Sequence, residues 1–265
     1  MVKEIQKNGS LVFAYFKLNL SSAMEYRVSF LIQLFGMVLN NVSFAFFWWL
    51  LFKKVPTIAG YGYQDVMLLW AISSAGFGLA FIFFGGVLKL NQYIIKGELD
   101  SYLLQPKNVL LNVISSSTVF SAWGDLLYGT VLFIVIRGFH PIGLLSFAFY
   151  CVTAMILFVT VIGTAHSLAF YMGNNSSMVQ LIFEFMISFS IYPEGIFKGA
   201  VKWIIFTILP AGFITMVPLR LLQNFEIGWF FLLIGVCLIW ITILFTVFHR
   251  GLKKYESGNL MVNKM

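Results

Sequence analysis

The sequence predicts an all-α integral membrane protein of six transmembrane helices. Residues are 60% hydrophobic and only 10% charged, whereas a soluble domain carries about 25% charged residues. Mean hydropathy is +0.91, and 30 of the 265 residues are phenylalanine. Apolar runs long enough to cross the roughly 30 Å hydrocarbon core recur between short polar segments. No hydrophilic block is large enough to fold separately, so residues 1–265 read as a single transmembrane domain. The net charge of +7 flanks apolar spans, which points to membrane orientation and anionic lipid and away from nucleic acid.

Taken in order, 1–27 is polar to amphipathic, with Phe13, Phe16 and Leu20 at helical spacing, and reads as a helix lying in the membrane interface. It has no apolar core followed by a small-residue cleavage site, so no secretory signal peptide is expected. The first span is 28–52, which has no ionisable side chain, and the loop 53–65 follows with Pro56 and Gly60. The second span is 66–88. Its pairs Ala71/Ala75 and Ser74/Gly78 stand at i, i+4, a spacing of small residues that lets another helix approach closely.

The polar segment 89–108 comes next, and then 109–136 as a third span with one charge, Asp125, near its middle. A turn at 137–141 leads to the fourth span, 142–172, where His166 alone can ionise, and GNNSS at 173–177 marks the next turn. The fifth span, 176–197, carries Glu184 and runs into Tyr192-Pro193-Glu194-Gly195. In 198–222 the pattern changes. Pro193, Pro210 and Pro218 cluster between 193 and 218, and the apolar pieces between them fall short of the about 17 residues that a spanning helix needs. They read as re-entrant or interfacial helices. The sixth span is 228–248, with a basic tail at 249–265.

The segment 89–108, KLNQYIIKGELDSYLLQPKN, holds two short apolar clusters, Leu90, Tyr93, Ile94 and Leu99, Tyr102, Leu103. Each has the spacing of one helix face. Gly97 separates them and Pro106 ends the second. Six spans put both termini on one side with this segment. That side would hold 11 of the 17 basic residues, leaving Lys53, Lys54, Arg137, Lys198, Lys202 and Arg220 opposite. The positive-inside bias makes it the cytoplasm, and the proline-rich stretch then faces outward.

No phosphate-binding GxxxxGK[ST], no HExxH, no GxSxG and no metal-ligand spacing of Cys and His occurs. Cys151 and Cys237 lie inside apolar runs and read as small buried residues. The carboxylates Asp125 and Glu184 are costly at bilayer depth. They read either as parts of a transport path or as polar groups that pack helices against a bundle interior. His166, beside Thr164 and Ser167, reads as a hydrogen-bonding packing residue or as part of the same path. A stand-alone secondary transporter or channel using Asp125 and Glu184 is the alternative function; its inverted repeats are not visible. A membrane-embedded enzyme would show clustered His, Asp or Arg at one interface, and none appears.

Four stretches, IIKGELDSYLLQP, AWGDLLYG, YPEGIF followed by ILPAGFITMVP, and GLKKYESGN, resemble the ABC-2 type permeases, in particular the bacterial branch encoded with a second permease and an ATPase. The resemblance covers 13–259 in matching order. It implies six transmembrane helices per half-transporter and an amphipathic N-terminal helix on the cytoplasmic face. It also implies a coupling helix between spans two and three that docks on the ATPase, and re-entrant helices between spans five and six. The coupling segment maps to 90–105, with Gly97, Glu98, Leu99, Asp100 and Pro106 as its recognisable positions. A stripe of Leu99, Tyr102 and Leu103 would enter an ATPase groove, with Glu98 and Asp100 pairing with bases at its rim. The other reading, a surface helix on lipid headgroups, sits poorly with two acids. The resemblance further implies that the chain is not an enzyme by itself and binds no cofactor. ATP and Mg would belong to two copies of a partner ATPase. A second permease, related but different or identical, would complete the pathway. The expected location is the bacterial cytoplasmic membrane, multi-pass, with both termini cytoplasmic.

Overall fold

A computed structural model of the chain describes residues 2–255, and these fold as helices. The end of the basic tail, 256–265, lies outside the described residues, and with it the last part of GLKKYESGN and Lys264. Helix α1 (Val2–Glu25) meets α2 (Arg27–Lys54) at a kink at Tyr26. Then come α3 (Tyr63–Phe84), a 3-10 turn (Gly85–Lys89), α4 (Leu90–Ile95), α5 (Asp100–Leu103), α6 (Val109–Ser115) and α7 (Ala122–Arg137). The second half holds α8 (Pro141–Ser167), α9 (Ala169–Met172), α10 (Ser176–Ile191), a 3-10 turn (Glu194–Ile196), α11 (Ala200–Phe206), α12 (Ala211–Ile214), α13 (Met216–Gln223) and α14 (Ile227–Leu252).

Among the described residues, four helical stretches are long and apolar enough to cross a membrane: Arg27–Lys54, Tyr63–Ile95, Pro141–Met172 and Ile227–Leu252. A fifth candidate is the pair Ala200–Phe206 and Ala211–Gln223, bent by 53°. Helix α10 is apolar but shorter, at 16 residues.

The core forms around α3, which is buried on every side from Val66 to Gly76. Its small residues explain how neighbours come so close. A Cβ on Gly129 of α7 would stand 2.5 Å from the Ala71 carbonyl oxygen and 2.7 Å from the Ala75 nitrogen. A Cβ on Gly78 would stand 2.6 Å from the Leu126 nitrogen. Ridges this low let α3 and α7 touch backbone to backbone, and dispersion drives helix association where lipid offers no hydrophobic gain. Helix α8 covers the opposite side of α3 and carries the buried Phe147, Ala154, Leu157 and Phe158. By contrast α2 and α14 lie at the periphery. Helix α14 buries Leu233, Cys237, Leu244 and Phe248, one stripe at helical spacing. Both cysteines are buried and free.

Two expected elements differ: the fifth span, expected over 176–197, ends at Ile191, where Tyr192 turns extended ahead of Pro193, and the third span is broken. The apolar run 109–136 is not one continuous helix: it breaks at 116–121, between α6 and α7. The break falls on the hydroxyl run Ser115, Ser116, Ser117, Thr118, where the Ser116 and Thr118 side chains compete for backbone carbonyls. Ser116 Oγ donates to the Val113 carbonyl at 2.7 Å, and the Val119 amide leaves the helix to bond the Phe81 carbonyl at 3.0 Å. Asp125 therefore stands in the first turn of α7 and not at mid-helix.

The prolines fall where helices start or turn. Pro193 precedes the 3-10 turn, Pro210 caps α12, and Pro218 sits within the first turn of α13, where its missing N–H costs nothing.

Candidate functional site

Two poles of the bundle can be told apart by contact. At one, Gln223 donates to Asp65 at 2.6 Å, Trp48 meets Tyr192 at 5.8 Å between ring centroids, and Ala59 lies against Gly195. The loop 53–65 and the proline-rich stretch thus share that end. At the other, α1, the 85–108 segment, α6 and Tyr255 meet. Lys7 Nζ donates to the Pro106 carbonyl at 3.0 Å, and Tyr15 donates to Asn112 Oδ1 at 2.5 Å. Asn112 in turn donates to Gln105 Oε1 at 2.8 Å, and Asn108 caps α6 by accepting from the Leu111 amide at 3.0 Å.

The polar segment is built into this end. After α3 the chain tightens at Gly85 and Gly86; a Cβ at Gly85 would stand 2.8 Å from the Ser117 carbonyl oxygen. Leu90 and Ile94 of α4 are buried in the main core. Asn91 donates to Ser176 Oγ at 2.9 Å, and Asn175 donates to the Ala165 carbonyl at 2.7 Å, which ties α4 to the α9–α10 turn. Gly97 has a φ of +75°, a conformation that glycine adopts freely, and it reverses the chain between the two apolar clusters. Tyr255 closes over this turn. Burial and the neighbouring Asp100 push its hydroxyl up to about 12.

The expected ATPase-facing stripe is only partly exposed. Leu99 is 0% exposed and belongs to the core. Tyr102 is half-buried and packs edge-on against Tyr93 at 5.6 Å. Leu103 is 41% exposed. The outer face instead consists of Glu98, Ser101, Leu103, Leu104 and Gln105, with Asp100 half-buried beside Tyr255. Leu104, which the amphipathic spacing passes over, is 87% exposed. Its signal was the second leucine of YLLQP just before Pro106, at the tip where the helix must stop.

The other sequence candidates lie apart. Asp125 is buried; its Oδ1 accepts from Asn41 Nδ2 at 2.7 Å, and Ser74 Oγ donates to the Asp125 carbonyl at 2.8 Å. This joins α2, α3 and α7 around one carboxylate. Asn41 was missed in the sequence, because the adjacent amides Asn40 and Asn41 in an apolar run do not reveal which of them faces inward. Glu184 does not face the interior of the chain: it is exposed on α10 and accepts from Gln180 at 2.9 Å. His166 is buried near the end of α8. Asp125, Glu184 and His166 therefore form no shared site.

The family described as ABC-2 family transporter protein matches residues 37–258. A comparison with curated proteins and one with solved structures each returned no match. The match takes in the α3 core, the 85–108 segment, the Asp125 cluster and the proline-rich pole together, and the chain belongs to the ABC-2 family of transporter membrane proteins.

Proposed function

We propose that this chain is the permease subunit of an ATP-driven exporter, powered by a separate ATPase that docks on the α5 end of the 85–108 segment. The family membership supports a membrane component that works with an ABC ATPase. The observation that carries the docking reading is Leu104, a large apolar side chain 87% exposed at the tip of an otherwise anchored polar segment. Such a knob, ringed by Glu98, Ser101 and Gln105, suits a groove on a soluble partner.

The segment's construction suits force transmission. A push on Leu104 passes through Leu99, which is buried in the core, and through α4, whose Asn91 grips the α9–α10 turn. Coupling of this kind needs a continuous packed path. Six crossings would be made by α2, α3, α7, α8, α10 and α14, with α11–α13 re-entrant at the opposite pole and α1 interfacial. The basic residues gathered at the α1 end support a cytoplasmic placement of both termini in a bacterial plasma membrane. ATP and Mg would be handled by the ATPase, in two copies, and a second permease, related or identical, would complete the pathway.

Co-purification tests the reading. The chain expressed with its ATPase should form a complex with ATPase activity, and L104D should separate the two while the chain still inserts in the membrane. Ion-gradient-driven transport by the chain alone, with no ATPase bound, would overturn it.

A further inference from the structure

A cavity of about 390 Å³ opens beside the Asp125 cluster, between α2, α3, α7 and α10. That size lies within the range of small-molecule sites. Two of its walls are unsatisfied. Asp125, 5% exposed, leaves its Oδ2 without a hydrogen-bond partner, and Trp70, 6% exposed, leaves its indole Nε1 likewise. A buried carboxylate oxygen without a partner is costly, and a bound donor would relieve Asp125 Oδ2; Trp70 Nε1 is itself a donor, so Trp70 can offer a cation only its ring face. The remaining lining mixes polar side chains, Asn41, Ser73 and Ser74 among them, with an apolar and aromatic wall: Phe44 stands 5.1 Å from Trp70 between ring centroids, and Phe77 and Ile187 add to it.

The mouth is flanked by Asn40, Phe44, Ser188 and Tyr192, all exposed, so it opens on the outer surface of the bundle between α2 and α10. Asn41 lies midway along α2, about 20 Å from either end at 1.5 Å per residue. A ligand reaching this depth must carry an apolar body.

We infer that this cavity binds an amphiphile with a protonated amine, the ammonium donating to Asp125 and resting against the Phe44 and Trp70 rings, the alkyl body lying between α2 and α10. An acid with aromatic faces nearby is the combination that holds an ammonium in a dry site. Calling that amphiphile cargo rests on the transporter reading above; binding does not. The test is therefore made on the full chain in lipid nanodiscs, without nucleotide or ATPase.

A dodecylamine carrying a diazirine near the tail end should, on illumination, label residues of α2 and α10 around the cavity. Excess dodecylamine should compete for this labelling, and dodecanol should not. D125N, which keeps the acceptor for Asn41, should weaken labelling at least tenfold. S188K is changed at an exposed position on the rim, so the core is undisturbed; it should abolish labelling by placing a fixed cation in the cavity, whereas E184Q should leave it unchanged. Equal competition by dodecanol, or undiminished labelling in both D125N and S188K, would overturn the assignment. Loss of ATPase association would not bear on it.

Discussion

Two leucines five residues apart separate the roles that amphipathic spacing runs together. Leu99 is 0% exposed in the core, and Leu104 is 87% exposed at the tip of the same segment. Truncating Leu99 to alanine opens a cavity among packed side chains and should cost about 2–5 kcal/mol of stability. At about 2–4 °C of melting midpoint per kcal/mol, a clear drop in Tm follows. Truncating Leu104 removes no internal contact, and stability should stay within about 0.5 kcal/mol. At an ATPase groove the same side chain would bury about 1.5–3 kcal/mol of apolar surface, so Leu104→Ala should weaken ATPase affinity roughly ten- to a hundredfold. Thermal unfolding of the purified chain in detergent and titration of the ATPase onto nanodisc-embedded chain measure the two quantities. Unchanged ATPase affinity in Leu104→Ala, or an unchanged Tm in Leu99→Ala, would refute the division of roles.

Other residues give separate tests. Gly129→Val would drive a branched side chain into the Ala71 and Ala75 backbone. Thermal unfolding should show a loss above the about 1–3 kcal/mol usual for overpacking, because backbone cannot yield as a side chain can. Gly97→Ala meets only ordinary contact with Tyr255, so its cost should be that of the left-handed backbone, about 1–2 kcal/mol by the same assay. Asn41→Leu takes the 2.7 Å donor from buried Asp125 and should lower stability by about 1–3 kcal/mol, an effect that Glu184→Gln, on the exposed face of α10, should not show.

Much of the bundle was legible as pattern. Ala71, Ala75 and Gly78 announced close helix approach, and α7 approaches there; the prolines of 193–218 announced broken helices, and they are broken. What stayed illegible has physical causes. The break at 116–121 contains no proline, charge or glycine; it falls on hydroxyls that compete for backbone carbonyls, which composition does not resolve in an apolar run. The stripe Leu99, Tyr102 and Leu103 was visible as an apolar face, but amphipathicity does not say which surface the face meets. Here Leu99 turns to the chain's own core, leaving Leu104 outward. Glu184 and Asp125 look alike in sequence, yet one has α2 and α3 packed around it and the other has open surface.

Cross-linking from position 104 tests the central proposal most directly. Cys151 and Cys237 are buried, so a single exposed cysteine introduced by Leu104→Cys can be addressed in the complete transporter. A short bifunctional reagent should join it to the ATPase, and the same reagent on Gln223→Cys, at the opposite pole beside Asp65, should not. An ATPase adduct from position 223 and none from position 104 would contradict the proposal.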